Sequence, residues 1–305
     1  MEKGCNRLKG PLEADDPAVV QELRANFLAP PSTLPYNLTL PSDVESLSLG
    51  KSFSWGFYHH YIEHFFGAQR GGFFLEAGAL EGEFLSNTLW LEQALGWSGL
   101  LIEADPGSFQ HLTWKRRRAY TSHSCVTKTP YPREAVFETL LQDRNLKEFR
   151  WLFRANTREA NSYFANFLDE LSARSRRSYS KVQCFPLYSY LLALDVTLMD
   201  FLSLDIQGNE WEVIKSLPMD KVKVRAMAVE HMAPGSSYAE GNRVDLDFVS
   251  YMAAAGYRLV DVDQNVNYFF ILESDSTLKS KCEPDKMVKY NHLNEMNVIA
   301  NINSS

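Results

Sequence analysis

FFLEAGALEG, residues 73–82, and GLLIEADP, residues 99–106, decide the fold. Phe73, Phe74 and Leu75 make a short apolar run of the kind a strand buried on both faces requires. Glu76 ends that run, and Gly78 and Gly82 flank a turn into a helical pattern carrying Leu85, Leu89, Leu91 and Leu95 on its apolar positions. Gly96 supplies a left-handed stop before Trp97. A second apolar run, Leu100, Leu101 and Ile102, then leads into Glu103. Strand, glycine turn, helix and strand in this order predict a parallel βαβ unit.

The spacing discriminates between ligands. A dinucleotide fold needs G-x-G-x-x-G so that a helix amino terminus can meet a pyrophosphate, whereas residues 76–82 read Glu-x-Gly-x-x-x-Gly. Glu103 ends the second strand where a carboxylate can accept hydrogen bonds from both ribose hydroxyls. A turn of backbone groups plus an acid suits S-adenosyl-L-methionine, with Glu76, Gly78, Ala79, Gly82, Asn87 and Glu103 as candidate cofactor contacts. The alternative is a tight strand-to-helix turn with no ligand.

The segment FLSLDIQGNEWEVIKSL, residues 201–217, repeats the pattern. Its strand ends at Asp205, Gly208 turns the chain, and Trp211, Ile214 and Leu217 share a helix face. In a doubly wound sheet that strand end faces the cofactor crevice, so Asp205 can touch the cofactor, orient a nucleophile or take its proton; equally, it can bond its own turn's amides. Glu210 reads as a first-turn acid favoured by the helix dipole. AMAVEHM, residues 226–232, brings Glu230 and His231 to the same rim. His231 is a candidate base that Glu230 can orient, and the plain alternative is a hydrogen-bonded histidine capping the strand. The candidate catalytic set is therefore Asp205, Glu230 and His231.

The 305 residues, 45% hydrophobic and 23% charged, suffice for one large α/β domain. A net charge of −7 argues against nucleic acid as a partner, and the basic runs at 115–118 and 174–177 read as solvated helix faces. The amino terminus lacks a signal-peptide core. The apolar stretch 187–204 contains Asp195 and Asp200, which disqualifies it as a bilayer helix; a cytoplasmic location is the expectation from these features. Cys5, Cys125, Cys184 and Cys282 show no metal spacing, so no metal site is expected. Asn37 and Asn303 open glycosylation triplets that matter only in a secretory compartment.

Residues 1–55, proline-rich after a short helix near 19–27, read as an extension wrapped on the domain. Residues 56–280 form the domain, with an insertion at about 127–181, and 281–305 form a tail. Further strands are expected at 119–126, 198–205, 224–231, 257–263 and 266–272, the last two as an antiparallel edge hairpin, and a helix around Val244, Phe248 and Met252. The insertion reads as a helical cover with exposed arginines, although Arg154, Arg158, Tyr163 and Phe164 can contact an acceptor.

Taken together, FFLEAGALEGEFLSNTLWLEQALGWSGLLIEADP, VQCFPLYSYLLAL, FLSLDIQGNEWEVIKSLP, VEH and GYRLV resemble the FkbM-type methyltransferase domain. With DPAVVQELRANFLAPPS they are similar to its eukaryotic branch, which includes the insect protein Star. The resemblance implies a class I, Rossmann-like, seven-stranded and mostly parallel sheet. It also implies S-adenosylmethionine-dependent O-methylation of a small-molecule or sugar (glycan) acceptor, with Glu76, Gly78, Gly82 and Glu103 on the cofactor and Asp205 in the site. The Star branch implies a different role, export of growth-factor-like cargo from endoplasmic reticulum to Golgi, although this sequence shows no membrane anchor upstream of the domain. In such a lumen Cys125 and Cys184 can form a disulfide; in a cytosol they are small buried apolar residues.

Overall fold

The computed structural model describes residues 12–38, 54–141, 154–160, 162, 176–236 and 241–283. Strands β1 (Phe73–Ala77), β2 (Ser98–Glu103) and β3 (Tyr120–His123) pair in parallel. The chain then returns to the other side of β1 with β8 (Leu198–Leu204) and β9 (Lys223–Glu230), again parallel. A hairpin of β10 (Tyr257–Asp263) and β11 (Asn267–Leu272) completes a seven-stranded sheet in the order β10-β11-β9-β8-β1-β2-β3. β11 runs antiparallel to both neighbours. The fold is the doubly wound, mostly parallel α/β sheet expected, with β10 as its outer strand. Strand order reverses between β1 and β8, and that reversal opens a crevice at their carboxyl ends.

Alternation along each strand fills two cores. Leu75, Ala77, Leu100, Ile102, Leu202, Leu204, Met227 and Val229 face one side, against helices Pro17–Asn26, Leu187–Ala193, Glu210–Ser216 and Leu246–Ala254. Phe74, Leu101, Phe201, Ala226, Ala228 and Phe269 face the other, against Gly56–Phe66, Leu89–Leu95, Pro106–Lys115 and Ser276–Lys281. Strands that are apolar on both faces can only sit between helical layers, which is why the period-two signal is weak in the central strands.

Beyond the first helix the chain runs beside β3. Ala29 and Thr121 exchange backbone hydrogen bonds of 2.9 and 3.0 Å, and Ser32 and Asn37 donate to the carbonyls of Arg117 and Lys115. The extension thus covers an otherwise open sheet edge. No helix of the described residues is long and apolar enough to cross a membrane.

The insertion differs from the helical cover expected. Its described part is a second sheet of β4 (Cys125–Val126), β5 (Arg133–Leu141), β6 (Arg158–Glu159) and β7 (Arg176–Phe185), in the order β4-β7-β5-β6. Along β5, Ala135, Phe137 and Thr139 are buried while Val136 is 46% exposed. Glu138 and Leu140 are buried as well, so β5 lacks the strict alternation that marks a strand in sequence. The strand expected at 119–126 breaks at Ser124, whose hydroxyl meets those of Ser122 and Tyr190 at 2.6 and 2.7 Å. Tyr163, Phe164, Arg174, Cys5, Thr39 and Asn303 lie outside the described residues.

Cys125 and Cys184 are directly paired across β4 and β7 and joined by a disulfide that closes a separation of 59 residues. The bond fastens both ends of the insertion to each other beside β3. Cys282 is half-buried and forms no disulfide among the described residues. Constraining a loop of this length in the unfolded chain is worth roughly 2–4 kcal/mol. Reduced protein should therefore melt roughly 4–16 °C lower than oxidised protein. Identical melting with and without reductant would contradict a structural role for the bond.

Candidate active site

The first wall of the crevice is the glycine turn. Gly78 has φ +84°, and a β-carbon there would lie 1.8 Å from the Asp205 carbonyl oxygen. The ends of β1 and β8 can approach this closely only over glycine. Gly78 and Ala79 both donate to the Ile102 carbonyl at 3.0 Å. The helix expected to start near Leu85 begins only at Leu89, because residues 78–88 form a loop in which Leu80 and Leu85 take left-handed φ values of 50° and 59°. Non-glycine residues hold such angles only where surrounding structure compels them.

Glu103 ends β2 as expected. Its two oxygens accept from the Leu80 and Asp105 amides, each at 2.7 Å. The acid ties the glycine turn to the second strand, and a carboxylate with two accepted bonds still has acceptor sites left over. Burial pushes its carboxyl up to about 8, with the neighbouring Asp105 charge adding to the rise and the amides of Asp105, Leu80 and Ala104 opposing it.

Glu76, Gly82 and Asn87 are not on the crevice surface. Glu76 accepts from Ser86 Oγ at 2.9 Å, the Asn87 amide at 2.7 Å and Thr88 Oγ1 at 2.5 Å, so it braces the loop from beneath. A β-carbon on Gly82 would press on Leu112 at 2.3 Å, a packing constraint. The Asn87 side-chain amide donates to Ser203 Oγ at 3.0 Å. The residues 115–118 are a correction to the expected solvated face: Lys115 and Arg117 are buried. Arg117 Nε pairs with Glu92 at 3.0 Å, and its guanidinium also reaches the Gly82 carbonyl, Ser86 and Thr88. Lys115 pairs with Glu81 and Glu83. Buried cations among buried acids cannot be read from a basic run, because the paired glutamates are brought in from an earlier segment. Arg176 and Arg177 stand on β7, not on a helix.

The opposite wall is the end of β8. Asp205 lines the crevice, its amide donates to the Ala77 carbonyl at 3.1 Å, and its Oδ1 accepts from Gln207 Nε2 at 2.7 Å. Burial raises the Asp205 carboxyl above the usual range, with the hydrogen bonds from Glu230 and Gln207 opposing the rise. Gln207 and Asn209 take left-handed φ values of 56° and 80° around Gly208. Glu210 does more than complement a helix dipole. It is 1% exposed, its Oε1 accepts from the Ile206 and Gly208 amides at 3.1 and 2.8 Å, and burial pushes it up to about 8.

Glu230 reaches Gln207 Nε2 at 3.3 Å. His231 points elsewhere, among Trp211, Phe248 and Tyr268, with Nε2 2.9 Å from Asp245 Oδ2. Asp245 is the N-cap of the helix Leu246–Ala254 and lies outside the crevice lining, as does His231. Burial lowers the His231 pKa, and Asp245 partly restores it. This placement favours the strand-capping reading of His231, whose backbone amide also donates to Val266.

The third wall comes from the insertion, with Phe137, Arg154 and Thr157 on the lining. Arg154 pairs with Asp105, which also takes the Thr139 hydroxyl at 2.9 Å. Arg158 sits 3.5 Å from Glu138 and outside the lining. The water-accessible space is about 70 Å³, room for roughly five waters. No cluster of three metal-binding side chains occurs among the described residues.

Strand order, glycine turn and crevice define a class I methyltransferase-like α/β domain. The methyltransferase FkbM domain matches residues 76–259, and the chain belongs to that family. No curated protein matches it. Among solved structures it is similar to a METTL16 methyltransferase domain at 14% identity and a TM-score of 0.37, covering 85% of this chain and 82% of that one. It is also similar to an amino-terminally truncated METTL16 methyltransferase domain at 12% identity and a TM-score of 0.33, covering 83% and 92%. Likeness at this level says nothing about substrate or mechanism.

Proposed function

We propose that the crevice binds S-adenosyl-L-methionine and that the protein O-methylates a small-molecule or glycan acceptor. The carrying observation is that Gly78, Ala79, Glu103 and Asp205, from three strand ends, converge on one crevice. The donor set fits the cofactor: backbone approach at Gly78, where a β-carbon would fill the space, and a buried acid with acceptor sites left for a ribose diol. When bound, the cofactor supplies an electrophilic methyl group on a sulfonium, so positioning provides much of the rate. Asp205 is the group placed to accept the acceptor's hydroxyl proton. Production of S-adenosylhomocysteine against a panel of hydroxylated acceptors, followed by mass spectrometry, tests this: turnover abolished by Asp205→Asn supports it, and full turnover in that variant refutes the assignment.

The acid at Glu103 gives a pH dependence. Ribose hydroxyls donate to the ionised carboxylate, so affinity should rise as pH climbs through about 8, and binding at pH 7 should release up to about one proton per ligand. Calorimetry in buffers of differing ionisation enthalpy checks the release, and a heat independent of buffer would contradict it. Folding responds oppositely. Glu103 and Glu210 keep their protons in the folded state after the unfolded chain has lost them, so their contribution to stability declines from about pH 4.5 to 8.

One observation favours a second reading, a Star-like cargo factor in the endoplasmic reticulum or Golgi lumen. The structure joins Cys125 and Cys184 in a disulfide, a bond that persists chiefly in oxidising compartments. Thiol alkylation of the protein taken directly from its cells decides the compartment: protected cysteines place it in the lumen, and alkylated ones in the cytosol.

A further inference from the structure

We propose that Gln207 is a positioning residue that fastens Asp205, on the crevice lining, and Glu230, outside it, into one proton-sharing carboxyl pair. This rests on the methyltransferase reading for its consequence, but not for its geometry. The side-chain amide of Gln207 donates to Asp205 Oδ1 at 2.7 Å and to Glu230 Oε2 at 3.3 Å, so one NH2 group spans acids carried by adjacent strands β8 and β9. Gln207 is itself held: it is 6% exposed, its φ is +56°, and its carbonyl accepts from Ser162 Oγ of the insertion at 2.7 Å. A left-handed backbone in a long side chain is a cost that surrounding structure must impose, and here its result is an amide aimed at both carboxyls.

Two half-buried carboxyls that hydrogen-bond each other and share one donor cannot both ionise freely, so they titrate as a pair. Three further groups among the described residues bear on them. Glu210, behind the same turn, adds a third acid whose own carboxyl is raised partly by the charge of Asp205. Lys128 approaches on the rim, where its Nζ donates to Asn209 Oδ1 at 3.0 Å. His231, next to Glu230 in sequence, is turned away to Asp245. Burial holds the Asp205 carboxyl above its usual range while Gln207 supplies donors to both members. Asp205, the member on the crevice lining, is the one that meets the acceptor. With the methyl donor bound, the Asp205 carboxylate would take the proton of the acceptor hydroxyl whose oxygen receives the methyl group, the donor leaving as the neutral sulfide. Glu230 acts through Gln207 and the shared proton, setting the pH at which Asp205 is available.

The test is carboxyl 13C NMR titration of the full chain labelled at Asp and Glu, in wild type, Glu230→Gln and Gln207→Asn. Asparagine tolerates a left-handed backbone, but its shorter side chain cannot span both acids. In wild type, Asp205 should titrate in two steps, the upper one above the ordinary carboxylate range. Glu230→Gln should collapse these into one lower step. Gln207→Asn should move the upper step up by about one pH unit, the loss of roughly one charge-assisted hydrogen bond. With turnover in hand, kcat at pH 7 should fall about tenfold with KM unchanged and cofactor binding intact. An Asp205 titration identical in wild type and Glu230→Gln overturns the pair. An unmoved upper step in folded Gln207→Asn overturns the role of Gln207. Neither readout requires the methyl donor, so coupled titration without cofactor binding would refute the methyltransferase reading alone.

Discussion

Gly78→Ala should cost roughly 3 kcal/mol or more in stability and abolish ligand binding in the crevice. Two effects add. The residue sits at φ +84°, which costs an L side chain about 1–2 kcal/mol. The new methyl would also lie 1.8 Å from the Asp205 carbonyl oxygen, and that neighbour is backbone, unable to rotate away. Relief comes only from parting the ends of β1 and β8, which breaks the hydrogen bond from the Asp205 amide to Ala77 and moves the floor of the crevice. Gly96 is the internal control: its φ is +67°, yet a β-carbon there meets nothing within 4 Å. Gly96→Ala should therefore cost only the conformational part, about 1–2 kcal/mol. Thermal denaturation of the two variants side by side checks the difference, and equal losses would show that close approach at Gly78 is not what the glycine provides.

Arg117→Met should destabilise the fold by about 3–5 kcal/mol, roughly 10 °C in Tm. The Arg117 side chain is fully buried and compensates Glu92 directly and Glu76 through space. Without it two buried acids lose their counter-charge, and burial already raises the Glu76 carboxyl. The variant's loss should shrink at acid pH, where the Glu76 carboxyl, raised by burial, takes up a proton. Arg118→Met, exposed and placed over Tyr36 at 5.3 Å, should stay within about 0.5 kcal/mol. A loss in Arg117→Met that does not vary with pH would show that packing of the stem, and not charge, is what the arginine contributes.

The sheet was legible wherever apolar runs end at a turn residue. Gly78, Gly82, Gly96 and Gly208 punctuate the chain at positive φ, and the runs before or after them are the central strands. Glu103 and Asp205, each closing a buried run, were legible as strand-end acids, and both line the crevice. Glu76 was read by the same logic and placed on the cofactor, but its oxygens turn to residues 86–88. A strand end specifies a position along the sheet but not the direction of a side chain. His231 shows the limit again, because its partner Asp245 lies beyond a segment with no periodic signal. The described strands of the insertion went unread because β5 lacks a strict alternation and its pairing with β7 joins segments far apart in sequence. Gln207 carried no signal at all: only the folded turn brings its amide to two acids.

The central claim is that the crevice holds S-adenosyl-L-methionine on the acid closing β2. Isothermal titration of wild type and Glu103→Gln with S-adenosylhomocysteine, each first shown to be folded, tests it most directly. Saturable one-site binding by wild type, weakened at least about tenfold in Glu103→Gln, is the expected result. No heat and no change in Tm from folded wild type would contradict the claim and leave the fold as a scaffold without its cofactor.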